Sequence, residues 1–296
     1  MAGMYDEIVA VTENRPLTSG HCLLSLRAPR QAQATRPGQF AMVRLLGRSD
    51  ILLRRPMSIY DVTPTPRPPR AAMKRGLIAH RRPEILQLLY KIVGRGTKLM
   101  AELEPGDSVG LAAPLGHGFF VEEYLAEAQR ADEVLLVAGG IGIAALLLPA
   151  RELARAKVRQ RLFFGGRTRA DLVGIADFEH CVEGITLATE DGSKGYRGYV
   201  TQPLKNYLDR HPDRKFLLMV CGPWGLLQAS AELANERRHS CLVSMENRMG
   251  CGLGVCLGCS IRVEGTGHGA FERVCTEGPV FTADHVVWQR EEIPKI

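Results

Sequence analysis

Four cysteines in the last fifth of the chain have a spacing that suits an iron–sulfur cluster. Cys251, Cys256 and Cys259 form a C-x4-C-x2-C pattern, and Cys275 comes after fifteen intervening residues. This is the ligand pattern of plant-type [2Fe–2S] centres, in which four thiolates hold two irons. The spacing therefore predicts a [2Fe–2S] cluster on these four residues. A four-cysteine zinc site is the alternative, although its usual paired C-x2-C ligands are missing.

The other four cysteines divide three to one. Cys22, Cys181 and Cys241 lie in or beside apolar runs, which predicts small buried side chains. Cys221 ends an apolar run and opens Cys221-Gly222-Pro223. The end of a strand in a nucleotide-binding sheet is where a nicotinamide ring approaches, so Cys221 and Gly222 are candidate NAD-binding residues. A plain core role for Cys221 is the alternative.

A glycine turn, Gly139-Gly140-Ile141-Gly142, follows the apolar run Val134–Ala138 and precedes a helical pattern. In that context it predicts a dinucleotide-binding turn, because glycines allow the pyrophosphate to approach the backbone closely. No acidic residue closes the next strand, where Arg167 and Arg169 stand instead. NAD is the predicted dinucleotide, and NADP stays open because an arginine there suits a 2′-phosphate.

Two further segments have residue types that bind phosphate. Arg55-Pro56-Met57-Ser58 lies on a strand-like run, and an arginine fork holds pyrophosphate bidentately while Ser58 adds a short hydrogen-bonding group. Gly94-Arg95-Gly96-Thr97 stands before a predicted helix, where its backbone N–H groups would face the same phosphates. Together with the glycine turn and the cysteines, these segments predict an electron-transfer protein.

The composition excludes several function classes. The 296 residues carry a formal charge of +6, and 45% of them are hydrophobic, which excludes wholesale disorder. Six cations without an acid occupy the proline-rich segment 63–83, which predicts an exposed insertion and leaves the rest neutral. We therefore predict no nucleic-acid partner and, without a signal peptide or a clear membrane span, a cytoplasmic protein with reduced thiols.

The patterns around these motifs predict three units. Short apolar runs separated by turns predict an antiparallel β-barrel over residues 1–112. Alternating strands and helices over 113–240 predict a central doubly wound parallel α/β sheet, with helices at Ile143–Lys157, Asp171–His180, Pro203–Arg210 and Trp224–Arg237. The Gly- and Cys-rich residues 241–296 form a small C-terminal iron–sulfur module. The predicted fold class is thus multidomain, α/β and β.

The whole order of motifs resembles the flavin-and-iron–sulfur electron-transfer subunit of class 1B dihydroorotate dehydrogenase, within the ferredoxin–NAD(P) reductase superfamily. The resemblance covers nearly the full chain. It rests on Leu53–Ile59, Gly96-Thr97, Pro114–Phe119, Gly139–Gly142 and Asp191–Ser193, and its most specific segment is Ser244–Cys259, followed by Val274–Phe281. A methionine, Met57, stands where the superfamily often has tyrosine.

The resemblance implies cofactors, site residues and a partner. FAD would be held by Arg55, Pro56, Met57 and Ser58 and by Leu89, Tyr90, Lys91, Gly96 and Thr97. The partner would be an FMN-containing catalytic subunit that oxidises dihydroorotate, in a heterotetramer of two plus two chains. Electrons would pass from it through [2Fe–2S] and FAD to NAD+, in pyrimidine biosynthesis.

No side chain of this chain is predicted to be catalytic, since protein groups in such enzymes position and tune the cofactors. Two other functions stay open. One is an electron-transfer subunit of a hydrogenase or a transhydrogenase. The other is a zinc-stabilised, nucleotide-binding regulatory module.

Overall fold

Six antiparallel strands form a closed barrel in the N-terminal part of the chain. The computed structural model describes residues 3–18, 20–64, 82–265 and 270–288. The barrel strands are neighbours in the order β1-β2-β5-β4-β3-β6. Their bounds are β1 Tyr5–Thr18, β2 His21–Arg27, β3 Phe40–Leu45, β4 Arg55–Thr63, β5 Ile85–Lys91 and β6 Ser108–Leu115, with helices α1 Pro29–Ala34 and α2 Arg95–Ala101 beside them.

A seven-stranded sheet follows in the order β10-β9-β8-β7-β11-β12-β15. All neighbours are parallel except β12 and β15. The strands are β7 Glu133–Gly139, β8 Gln160–Gly166, β9 Gly184–Thr189, β10 Tyr196–Arg197, β11 Phe216–Cys221, β12 Ser240–Ser244 and β15 Val280–Thr282. The accompanying helices are α3 Val121–Arg130, α4 Leu147–Arg155, α5 Thr201–Asp209 and α6 Trp224–Glu236.

The central strands are apolar almost throughout because both faces of the sheet are covered. Every residue of β11 is buried, as is β7 up to Ala138. The chain runs outward from β7 to β8 and β9 on one side, and returns to β11 and β12 on the other. This reversal opens a crevice at the carboxyl ends of β7 and β11, where ligands of such sheets bind. The predicted fold class is confirmed.

The C-terminal region adds a hairpin and also extends the central sheet. Strands β13 Ser260–Val263 and β14 Ala270–Arg273 pair antiparallel. Strands β12 and β15 belong to the seven-stranded sheet, although the sequence places them largely in the third unit. Likewise β6 continues to Leu115, three residues past the boundary expected at 112. The three units therefore share strands at both of their borders.

Two of the expected helices were wrong in whole or in part. Over Asp171–His180 the chain forms short 3₁₀ turns, Arg169–Asp171 and Ile175–Asp177, because Gly174 between them has a left-handed φ of +77°. The expected helix Ile143–Lys157 begins instead as a 3₁₀ turn, Gly140–Ala145, and becomes α-helical only at Leu147.

Three other expectations have different outcomes. Cys22 and Cys241 are buried as expected, whereas Cys181 is only half-buried. Most of the basic insertion, residues 65–81, lies outside the described residues. Within the described part of the chain, none of the helices combines the length and apolar character needed to cross a bilayer.

Candidate functional site

Strands β4 and β5 separate at one end of the barrel. Their pairing starts at Ile59 and Leu88 and runs from there to Thr63 and Ile85. The residues beyond this point pair only with their outer neighbours, Arg55–Ser58 with β3 and Leu89–Lys91 with β2. Backbone groups on the facing sides are therefore left for a ligand. Two of the segments expected to hold FAD thus line opposite sides of one opening.

Arg55 contacts the third segment expected to hold FAD, Gly96-Thr97. Its guanidinium lies against Gly96, where an added Cβ would be 2.2 Å from Nε. The Thr97 hydroxyl accepts hydrogen bonds from the N–H groups of Val93, at 2.9 Å, and Gly94, at 3.1 Å, which fixes the turn before α2. Arg55, Gly96 and Thr97 therefore come together, and the guanidinium in this position leaves no room for a Cβ at residue 96.

The side chains of Leu89, Tyr90 and Lys91 are engaged within the protein. Leu89 is buried, and the Tyr90 hydroxyl donates to Asn14 Oδ1 at 3.2 Å. Lys91 Nζ lies 2.5 Å from Asp171 Oδ1, in the loop after β8. Burial opposes ionisation of Asp171, but hydrogen bonds from Lys91 and the Thr168 N–H outweigh it and lower the Asp171 pKa. Lys91 therefore links the barrel to the parallel sheet, and the backbone of this segment faces the opening.

The glycine turn and the end of β11 form one site beside that opening. A Cβ on Gly142 would lie 2.3 Å from the Cys221 carbonyl oxygen, and one on Gly222 would lie 3.0 Å from Gly139. Gly140 has a φ of +52° and no atom within 4 Å of the position of a Cβ, so open space lies beside it. Ile143 of the same turn shares a buried cluster with Tyr60 and Leu89 of the barrel. The turn therefore joins the nucleotide crevice to the barrel opening.

The Cys221 thiol lies at the floor of this crevice. Its residue is only 1% exposed, and the thiol is hydrogen-bonded to Ser244 on β12. Burial raises the Cys221 pKa, and the nearby Glu246 carboxylate raises it further. Cys221 is therefore a neutral thiol at physiological pH.

The four cysteines of the C-terminal loop form two contacting pairs. Cys251 is hydrogen-bonded to Cys256, and Cys275 to Cys259. The N–H groups of Leu253 and Cys256 point at Cys251 Sγ, at 3.3 and 3.5 Å. Burial opposes ionisation of Cys251, but these bonds outweigh it and lower its pKa to about 6. Burial, followed by the hydrogen bond with Cys259, raises the pKa of Cys275 to about 12.

This donor set fits a two-iron cluster. Two thiol pairs match the need of a [2Fe–2S] cluster for two thiolates on each iron, and N–H groups aimed at sulfur stabilise the ionised form. Across the described ranges, no group of three or more His, Cys, Asp or Glu side chains is arranged to hold a metal ion. The pairing of the four thiols supports the two-iron cluster.

The cysteine loop packs against the barrel next to the opening. A Cβ on Gly252 would lie 2.6 Å from Met42 Cγ on β3, and Met42 is the register partner of Pro56 on β4. Arg273 fixes the loop from the other side, because its Nη1 donates to the Gly254 carbonyl at 2.9 Å while it pairs with Glu277. The cysteine loop, the strand with Arg55–Ser58 and the glycine turn are therefore consecutive neighbours.

Comparisons with known proteins agree with this arrangement. Residues 246–287 match the iron–sulfur cluster binding domain of dihydroorotate dehydrogenase B, and residues 136–232 match the oxidoreductase NAD-binding domain. The electron transfer subunit of dihydroorotate dehydrogenase B (NAD(+)) from Desulforamulus reducens is 34% identical over 263 residues, 88% of this chain and 90% of that protein. The Shouchella clausii subunit is 35% identical over 254 residues, 86% and 87% of the two chains.

The chain belongs to the family of dihydroorotate dehydrogenase B electron transfer subunits.

A solved structure shows the same fold. It comes from work on flavin-based electron bifurcation by an NADH-dependent reduced ferredoxin–NADP oxidoreductase. Its TM-score is 0.76 at 24% identity, and the alignment covers 95% of this chain and 90% of that one. The dihydroorotate dehydrogenase B family thus shares its architecture with a wider group of reductases.

Sequence reasoning assigned no role to the acidic loop after β9, which lies beside the nucleotide crevice of this family member, although the resemblance includes Asp191–Ser193. The Glu190 N–H donates to the Gly166 carbonyl at 3.1 Å, and the Asp191 N–H donates to that of Arg167 at 3.2 Å. These bonds hold the loop after β9 against the end of β8, where an acidic residue usually contacts the adenosine ribose. The acid comes from the third strand rather than the second, so spacing along the sequence gave no signal for it.

A second missed residue is Glu246, two positions after β12. Its side chain is exposed, and its charge acts on the buried Cys221 thiol. The sequence points to Glu246 only as part of Ser244–Cys259, a segment that resembles the family.

Proposed function

We propose that this chain is the NAD+-reducing electron-transfer subunit of an NAD-dependent dihydroorotate dehydrogenase. The observation that carries the proposal is that the three sites contact one another in sequence: the cysteine loop, then the barrel opening, then the glycine turn. The cysteine loop packs on β3 through Met42, β3 pairs with the strand that carries Arg55–Ser58, and the glycine turn packs against β4 and β5. Electron carriers placed in these sites would be adjacent in the order the reaction needs.

The residues have separate tasks in this proposal. Cys251, Cys256, Cys259 and Cys275 ligate [2Fe–2S]. Arg55 holds the FAD pyrophosphate beside Gly96 and Thr97, while Pro56, Met57, Ser58 and the backbone of Leu89, Tyr90 and Lys91 line the flavin. Gly139, Gly140, Gly142, Cys221 and Gly222 receive NAD. When bound, the flavin converts single electrons into a hydride for the nicotinamide.

Glu190 favours NAD over NADP in this proposal. Asp191 is occupied, since its carboxylate accepts hydrogen bonds from the Ser193 N–H and hydroxyl at 2.9 and 2.7 Å. Glu190 makes no such bond among the described residues, so its carboxylate is available for ribose hydroxyls and repels a 2′-phosphate. Arg167 and Arg169 oppose this preference, because a guanidinium attracts a 2′-phosphate. The relative strength of these two electrostatic effects determines whether NAD or NADP binds.

The surface around the cysteine loop fits a partner subunit. Cys256 is exposed, and three apolar side chains beside it, Leu253, Val255 and Leu257, are 47%, 79% and 61% exposed. Such a patch over a redox centre suits a docked protein that excludes water. We infer that an FMN-containing catalytic subunit docks here in a cytoplasmic heterotetramer of two plus two chains, without nucleic acid or membrane.

Co-purification with the native partner tests the proposal. The complex should be brown-yellow, contain FAD, FMN, iron and sulfide, and reduce NAD+ with dihydroorotate. The chain alone should oxidise NADH with ferricyanide but leave dihydroorotate untouched. A partner that oxidises another substrate would refute the dihydroorotate assignment, and a colourless zinc-containing chain would refute the electron-transfer function.

A further inference from the structure

The proposed reaction needs a proton that its electron donor does not supply. An iron–sulfur cluster passes electrons without protons, whereas NAD+ accepts a hydride, which is two electrons and one proton. In each cycle a proton must therefore reach the flavin ring from a group of this chain or from water. This requirement rests on the proposed function, and it directs attention to titratable groups in the crevice.

Glu246 follows the strand that pairs with the end of β11 and precedes the cysteine loop along the chain. That strand is β12, whose last residue, Ser244, is the register partner of Cys221 on β11. Met245 is buried, and its N–H donates to the Pro279 carbonyl at 2.7 Å, which fixes the backbone before Glu246. Five residues later the chain reaches Cys251. Glu246 is therefore held at the carboxyl edge of the sheet, beside both redox sites.

The surroundings of Glu246 are those of a cleft wall. Its side chain is exposed and has no ion pair or hydrogen bond with any described residue. Desolvation by the surrounding protein nevertheless raises the Glu246 pKa, which an open surface position would not do. A flavin and a nicotinamide in the cleft would remove more water and raise the pKa further. The carboxyl therefore keeps its proton to a higher pH than a fully solvated glutamate does.

Three other titratable groups of the cleft, Cys221, His117 and Lys91, are already neutral or paired, and Glu190 lies beside β8, where it is assigned to the ribose. Cys221 faces Glu246 from β11 as a neutral, buried thiol. His117, after β6, pairs with Glu123 at 2.8 Å, and Lys91 pairs with Asp171. Arg248, on the same segment as Glu246, carries a permanent positive charge and is no proton donor at neutral pH. Glu246 is thus the available acid among these groups.

We propose that the Glu246 carboxyl supplies the proton that joins the two electrons from the cluster. Its O–H bond breaks as an N–H bond forms on the flavin ring, and the two electrons arrive singly from the cluster. The hydride that leaves for NAD+ carries this proton away. The exposed carboxylate then takes its next proton from water, so protons and electrons balance in each cycle.

Glu246→Gln in the full chain with both cofactors separates this role from a structural one. NADH reduces the flavin by direct hydride transfer, so this step should stay within about twofold of the wild type, since it needs no acid. Reduction through the cluster by dithionite should slow by about 100-fold or more, the lower end of the range for loss of a general acid. Glu246→Asp, which keeps the acid, should restore part of the rate.

An infrared pH titration gives a readout that does not depend on turnover. The wild type should show a protonated carboxyl band that titrates above the range of ordinary glutamates, and Glu246→Gln should lack it. Equal slowing of both reduction directions, no slowing at all, or a carboxyl band kept in Glu246→Gln would overturn the proposal. The same kinetic split in His117→Asn would assign the proton to His117 instead. If the wild type fails to take hydride from NADH, the proposed function itself fails.

Discussion

The cysteine loop and the flavin–nicotinamide cleft are built in opposite ways. Three of the four expected cluster ligands lie within nine consecutive residues, 251–259, and Arg273 ties the turn with the fourth to the same loop. The cleft draws on four separate stretches, 55–58, 89–97, 139–142 and 221–222, which only the barrel and the sheet bring together. One site is local in sequence, and the other exists only in the folded chain.

This difference predicts how far the effect of a substitution extends beyond the substituted residue. A change in the cysteine loop removes a ligand but leaves the barrel strands and the crevice as they are. A change in the cleft alters a junction between two units, so its effect depends on how far neighbouring backbone shifts. Variants in the cysteine loop and in the cleft therefore test whether each site depends on one local stretch or on several distant stretches of the chain.

The largest effect is expected from Cys256→Ser in the cysteine loop. Serine is a poor iron ligand, and Cys256 contacts Cys251, so iron and sulfide should be lost entirely. FAD should stay bound, because no cleft residue is touched. Elemental analysis and the visible spectrum measure both. Cys181→Ser is the matched control and should keep iron and sulfide, since Cys181 packs against a buried cluster that contains none of the four expected ligands.

Normal iron content in Cys256→Ser would show that this thiol is not a ligand. Loss of FAD together with iron would show that the loop and the cleft fold as one unit. The second result would contradict the comparison, and the first would contradict the ligand assignment.

Gly142→Ala is expected to damage nicotinamide binding alone. The new Cβ would lie 2.3 Å from the Cys221 carbonyl oxygen, so the glycine turn or the end of β11 must move. A shift of about 1 Å at a reacting centre costs roughly 100-fold in rate, which sets the expected fall in NADH oxidation by ferricyanide. FAD and iron should be retained. Gly225→Ala in α6, where a Cβ meets open space, should leave the rate unchanged.

An unchanged rate in Gly142→Ala would show that NADH binds elsewhere than the crevice. Loss of the iron–sulfur spectrum in this variant would instead show long-range coupling from the crevice to the cysteine loop.

The local site is the one that sequence reasoning describes more completely. Cysteine spacing predicts the ligand set without any knowledge of the fold, because the loop itself positions the thiols. The fold class also follows from sequence, since buried parallel strands such as β11 are continuous apolar runs. The helix expected over Asp171–His180 failed because Gly174 interrupts it and Asp171 is used by Lys91.

The cleft shows what sequence patterns leave out. Glu190 reaches the end of β8 only through hydrogen bonds between two loops, and Glu246 meets Cys221 only through the β11–β12 register. Neither contact has a fixed spacing along the chain. The side chains of Tyr90 and Lys91 likewise point to partners, Asn14 and Asp171, that no motif indicates.

The smallest expected effect comes from Arg55→Ala in the barrel opening. Losing a charged hydrogen-bonding group should weaken FAD binding by about 1.5–3 kcal/mol, a modest loss because other segments still hold the cofactor. Equilibrium fluorescence of FAD release measures it. Arg54→Ala is the matched control, since Arg54 pairs with Asp6 at 2.8 Å on the surface and its loss should leave FAD affinity unchanged. Equal weakening in both variants would mean that positive charge in general holds FAD, whereas an effect of Arg55 alone would show that one guanidinium, positioned by Gly96, does so.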